Sequence, residues 1–235
     1  IISNSGYSKL RNLNYSVIDL KKSKIVDMPV ENWRVFENLP CWELVQKVDK
    51  IISVPKLKTH DQTEMTCSIK KLKGLLSDDG KKAMHQEGLF DGVIDLLSVV
   101  KPCLAIVDAT VCQEGIGPIF GDPVNMNLVL ASKDLVATDA TCARLIGYDP
   151  QETLLTVKGF ERGFGEIEEE KIEILGRDLK EVQRRFTRAI EAMQWIEDIT
   201  DCTIMHGEAA CTGCRNTVMS SLMDMKTANQ LEFLE

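Results

Sequence analysis

Two lysine-rich stretches place cationic side chains at spacings suited to holding an anion. In Val54-Pro55-Lys56-Leu57-Lys58-Thr59-His60, Lys56, Lys58 and His60 occupy alternate positions. Alternate residues of an extended segment share a side, so two ammonium groups and an imidazole face one way. That set suits a carboxylate or phosphate, with His60 able to exchange a proton. The competing reading is a solvated basic loop. In Ser68-Ile69-Lys70-Lys71-Leu72-Lys73-Gly74, Lys70 and Lys73 fall one helical turn apart and would extend the same anion site. Otherwise they coat the solvent side of an amphipathic helix. His85 is a weaker candidate, because a lone histidine in a polar stretch is commonly just exposed.

Carboxylates form the complementary set. Asp108 leaves an apolar run in Val107-Asp108-Ala109-Thr110, and Glu114 opens Glu114-Gly115-Ile116-Gly117-Pro118. Acids at the exit of a buried strand can orient a substrate or coordinate a hard cation. The glycines match neither G-x-G-x-x-G nor a P-loop. Asp134 reads as a helix N-cap, and Asp139 lies five residues further on in an apolar helix. A buried unpaired charge is costly, so Asp139 is expected to take a partner, a lysine among the candidates. The expected catalytic groups are His60, Asp108 and Glu114, with Lys56, Lys58, Lys70 and Asp139 binding the ligand. Lys56, Lys58, His60, Asp108 and Glu114 are expected in one cleft, because open α/β sheets gather strand ends at one edge.

The third set is Cys202 with Cys211-Thr212-Gly213-Cys214. Cys-x-x-Cys can share a metal or close a disulfide, and Cys202, or alternatively His206, would be a third metal ligand. An iron–sulfur cluster, zinc, a redox dithiol and simple packing thiols all remain open here. The other five cysteines are scattered singly in apolar segments, which favours free thiols in a reducing cytoplasm.

The elements that position these groups alternate between strand-like and helix-like runs. Strands are expected at 15–20, 49–54, 103–108, 126–131 and 171–176, those from 49–54 onward in one sheet, with a long loop over 109–124. Helices are expected from Thr63, over 88–100, from Asp134 to Gly147, over 179–195 and from Cys211. The near-continuous apolar strands predict an α/β domain over 1–196, with a parallel or mixed sheet and helices on both faces. Residues 197–235 read as a small helical, cysteine-bearing element. The chain has 235 residues, 28 Lys+Arg against 36 Asp+Glu, and a net charge of -8. That balance argues against nucleic acid or an anionic membrane as partner. No apolar run approaches the roughly 20 residues that span a bilayer.

Together these motifs resemble the domain-of-unknown-function family 362 (DUF362). The resemblance runs over about residues 45–176 and only loosely over 1–45. It rests on P-K-x-K-x-H at 55–60, the lysine-rich helix start, the acidic strand end with Gly117-Pro118 and Gly121, and Ala131-Ser132-x-Asp134-x-Val136-Ala137-x-Asp139. It implies no defined activity. Many family members carry a ferredoxin-like four-cysteine segment, which implies iron–sulfur electron transfer, whereas this chain has only Cys202, Cys211 and Cys214 in that role. Three function classes follow: an enzyme-like domain binding a small anion or metal, an electron-transfer or metal-carrying protein, and a non-catalytic binding or assembly module.

Overall fold

The computed structural model describes residues 6–11, 13–195, 205, 212–228 and 230. Strands β1 (Ile25–Pro29) and β2 (Asn38–Trp42) form an antiparallel pair. A mixed five-stranded sheet contains β3 (Ile52–Ser53), β4 (Lys56–His60), β5 (Glu64–Thr66), β6 (Leu104–Glu114) and β7 (Asp122–Ser132). The spine is β6. It pairs in parallel with β3 and β4 and antiparallel with β7, while β5 pairs antiparallel with β4. Pro55, which has no N–H, interrupts the chain between β3 and β4, and its carbonyl accepts from the Asp108 amide at 2.8 Å.

In chain order the helices are α1 (Ser8–Arg11), α2 (Leu44–Lys47), α3 (Ser68–Lys71), α4 (Asp78–Glu87), α5 (Leu89–Val100), α6 (Leu135–Leu145), α7 (Leu154–Glu161), α8 (Leu179–Val182), α9 (Ala189–Met193) and α10 (Thr212–Thr227). In α5, Leu89, Val93, Leu96, Leu97 and Val100 recur at helical spacing and are buried. Each such side chain stabilises the fold by about 1.5–3 kcal/mol. The helix ends at Lys101 in the left-handed region, before Pro102. Asp134 caps α6 by accepting from the Ala137 amide at 2.8 Å, and Gly147 follows its end at φ +74. Both ends are as the sequence predicts.

The core lies on one side of the sheet. Ala105, Val107 and Ala109 of β6 are fully buried, as is Leu57 of β4. Helices α3, α5, α6 and α7 pack together with this side. Asp108 and Val129 pair across β6 and β7, and Lys56 pairs with Asp108 from β4. This other side of the sheet is half open, with Val129 64% exposed.

Five expected elements differ. Residues 109–114 continue β6, and β7 begins at Asp122, so only 115–121 form the turn. The β-branched pair Thr110-Val111 is accommodated by a register shift between Ala109 and Val111. The helix expected from Thr63 starts at Ser68, after β5. The expected strand at 171–176 is absent, because a 3-10 turn over Glu169–Lys171 leads into an irregular segment. Its apolar residues line a groove beside β7 without joining the ladder, and Leu175 is 83% exposed. The expected helix over 179–195 is broken at 183–188. There Arg184 and Phe186 donate their amides to Leu145 and Ile146 carbonyls at 2.9 Å, and the Phe186 ring is fully buried. Burial of that ring against the end of α6 outweighs helical propensity. Near the amino terminus, 15–19 is irregular and a 3-10 turn occupies Leu20–Lys22. The expected boundary at 196/197 lies outside the described residues. No helix among the described residues is long and apolar enough to cross a membrane.

Candidate anion site

Lysines 58, 70 and 73 and histidines 60 and 85 meet where β4 ends and α3 begins. The strand β4 delivers Lys58 and His60. The short turn into β5 then returns the chain to α3, which carries Lys70, and the following 3-10 turn carries Lys73. The helix α4 contributes His85. Lys58, Lys73 and His85 are half-buried at the outer rim of this cluster, whereas Lys70 and His60 are buried deeper in it.

The start of α3 is fixed from α6. The Asp139 carboxylate accepts from the Ser68 amide at 2.9 Å, from the Ile69 amide at 3.2 Å and from the Ser68 hydroxyl. A carboxylate at a helix start satisfies amides that lack intrahelical partners. Burial pushes Asp139 up to about 6, against these hydrogen bonds and one from Cys67. Its partner is therefore the beginning of the lysine-bearing helix and not a lysine, so Asp139 positions Lys70 from a distance.

The protonation of Lys70 and His60 follows from their hydrogen bonds. Lys70 Nζ donates to Thr63 Oγ1 at 2.7 Å, and Thr63 Oγ1 itself donates to the Met65 carbonyl at 3.1 Å. Burial pushes Lys70 down to about 6, with Lys73 adding to the effect and Asp61 opposing it. His60 Nδ1 lies 3.0 Å from the Gln62 amide and 2.9 Å from Asp61 Oδ1. An amide can only donate, so Nδ1 accepts and the network assigns the ring proton to Nε2. Asp61 Oδ1 is then a buried carboxylate oxygen without a hydrogen bond. Burial lowers His60, the Asp61 contact opposes this, and Lys70 reinforces it. Lys73 Nζ contacts His85 Nε2, and burial followed by Lys73 lowers His85 to about 4. Lys58 donates to the Pro118 carbonyl at 2.9 Å and is also lowered, by burial first and then by Lys71. The turn that supplies this carbonyl lies so close to β4 that a Cβ on Gly117 would fall 1.9 Å from the Thr59 carbonyl oxygen. Only glycine fits there.

The residues expected in one cleft make three separate sets of contacts. Lys58 and His60 join Lys70. Lys56 pairs with Asp108 at 2.7 Å, both nearly half exposed. That hydrogen bond and those from Thr110 hold Asp108 down to about 2. Glu114 accepts from Arg184 at 3.2 Å and from the Thr187 amide at 2.9 Å, securing the extended segment at 183–188. Asp61 and Thr63 were not singled out from the sequence. The adjacency of Asp61 to His60 was the available signal. Cys202, His206 and Cys211 lie outside the described residues, and Cys214 is an exposed free thiol on α10. No group of three His, Cys, Asp or Glu among the described residues could hold a metal ion.

A thylakoid-associated protein of Synechocystis sp. is 32% identical over 133 residues, covering 54% of this chain and 41% of that protein. The chain thus spans less than half of that relative. No solved structure matches significantly. The family model described as "Domain of unknown function (DUF362)" matches residues 1–144. The match takes in residues 1–45, where the motif resemblance was loose, and ends before 176. It includes Lys58, His60, Lys70, Lys73, His85 and Asp139, and it stops short of the three C-terminal cysteines. The chain belongs to the DUF362 family.

Proposed function

We propose that this protein binds a small anion at the junction of β4 and α3. Lys58 and Lys73 hold its charge from the rim, and Lys70 and His60 meet it from below. The observation that carries this reading is a buried lysine packed among further cations in a chain of net charge -8. Burying an amine beside like charges is destabilising unless a ligand supplies the opposite charge, and such groups cluster at functional sites. The acidic surface favours a small ligand over nucleic acid. A reducing, cytoplasmic setting fits the free thiols of Cys41, Cys67, Cys112 and Cys142.

Inorganic sulfate, whose charge is constant between pH 5 and 9, tests this reading by calorimetry. Sulfate favours the ammonium form of Lys70. Below about pH 6 that form is already populated. Above it, binding must draw in a proton. Affinity should therefore fall as pH rises past about 6, by at most about tenfold per pH unit. Measurement in two buffers of different ionisation heat should show proton uptake at pH 7. Binding that is absent, or independent of pH without proton uptake, contradicts the reading.

A further inference from the structure

We infer that Lys70 is a nucleophilic amine that forms an imine with a small carbonyl compound bearing an anionic group, whose charge Lys58 and Lys73 hold. The inference rests on the anion-site reading and adds a reaction to it.

The geometry favours a neutral amine. Lys70 is 8% exposed, and its Nζ reaches one acceptor, Thr63 Oγ1. The Thr63 hydroxyl proton is committed to the Met65 carbonyl, so Thr63 can accept from Lys70 and cannot donate to it. Among the described residues Lys70 enters no ion pair. An ammonium has three protons to satisfy. An amine satisfies itself with one N–H and keeps its lone pair. The charged groups acting on it are Lys73, Lys58 and Asp61, and His60 and His85 complete the surroundings. The two lysines outnumber the one carboxylate, which reinforces the neutral form that burial favours. Desolvated lysines beside other cations are a recognised route to imine chemistry.

In the reaction, the Nζ lone pair forms a bond to the carbonyl carbon and the C=O π pair moves to oxygen. One amine proton passes to that oxygen. The resulting hydroxyl leaves with the second amine proton as water, and the C=N bond forms. No electrons are gained or lost. The rim lysines select for an anionic substituent, carboxylate or phosphate.

The test is reductive trapping on the whole chain with sodium cyanoborohydride, which supplies hydride to the imine. One arm uses pyruvate, a second dihydroxyacetone phosphate, and a third hydroxyacetone, which carries no charge. Peptide mass mapping should find the adduct at Lys70 at least about tenfold above any other lysine in one of the anionic arms. Which arm reacts identifies the anionic group. Hydroxyacetone should give at least about tenfold less. Trapping should rise as pH increases through about 6, opposite to sulfate binding, and sulfate should protect Lys70 while leaving other lysines unchanged. Lys70→Arg should lose the adduct, and protection by sulfate in the unaltered chain tests the same point should that variant fold poorly. Adducts spread evenly over the lysines, or equal trapping by hydroxyacetone, would overturn the inference. Sulfate binding without any Lys70 adduct would overturn it while leaving the anion site standing. Trapping that sulfate does not slow, with no calorimetric binding, would count against both.

Discussion

Replacing Lys58 and Lys73 together with methionine should weaken sulfate binding by about a hundredfold or more. A hydrogen bond to a charged group is worth about 1.5–3 kcal/mol, and two are removed. The same substitution should raise the pKa of Lys70, because both lysines lower it in the native chain. The two changes separate a ligand site from a merely basic surface, since an exposed lysine pair would do neither. Both side chains are half-buried at the rim, and methionine retains their apolar stems. Denaturant unfolding should therefore change by no more than about 1 kcal/mol. Unaltered sulfate affinity in a folded double variant would contradict the site.

The second large effect concerns stability. Asp95 of α5 is completely buried, and its carboxylate gathers the segment joining β1 to β2. It accepts from the amides of Arg34 at 3.1 Å, Val35 at 2.9 Å and Phe36 at 3.1 Å, and from Arg162 at 2.6 Å. The Phe36 ring packs so tightly on α5 that a Cβ at Gly92 would lie 2.7 Å from it. Asp95→Ala leaves three amides and Nη1 of the Arg162 guanidinium, itself 14% exposed, without their acceptor. Breaking a buried pair in this way costs about 3–5 kcal/mol. The denaturation midpoint should fall accordingly with little change in m. Asp95→Asn keeps one carbonyl acceptor and should lose less. A loss below about 1 kcal/mol for alanine would show that water or neighbouring groups replace the carboxylate.

Asp95 also shows what the sequence made legible. Asp139 stood out as a carboxylate in an apolar helix that needed a partner, and the same logic applies to Asp95 between Ile94 and Leu96. The identity of the partner was hidden in both cases. Asp139 takes the amides of α3, 71 residues away, and Asp95 those of a segment about 60 residues away. Backbone amides carry no sequence signature. Local signals did predict α5, whose apolar spacing is strict, and both ends of α6, where Asp134 and Gly147 have cap chemistry. They failed at 179–195, where one aromatic ring finds a core site, and at 109–114, where glycines just beyond the strand end made it read as loop. At the site, the P-K-x-K-x-H alternation located Lys58 and His60. The division between Lys58 and Lys56 depends on Asp108, which the pairing of β4 with β6 sets opposite Lys56.

In the proposed site Lys70 is an uncharged amine whose protonation an arriving anion favours. Lysine labelled with carbon-13 at Cε reports each amine's titration by NMR, and Lys70→Arg assigns its signal. Without ligand, one lysine should titrate at about 6 while exposed ones titrate near 10. Saturating sulfate should move that single pKa upward by at least about one unit, because the bound anion favours the ammonium. A Lys70 signal that titrates with the exposed lysines, or one that sulfate leaves in place, would contradict the account.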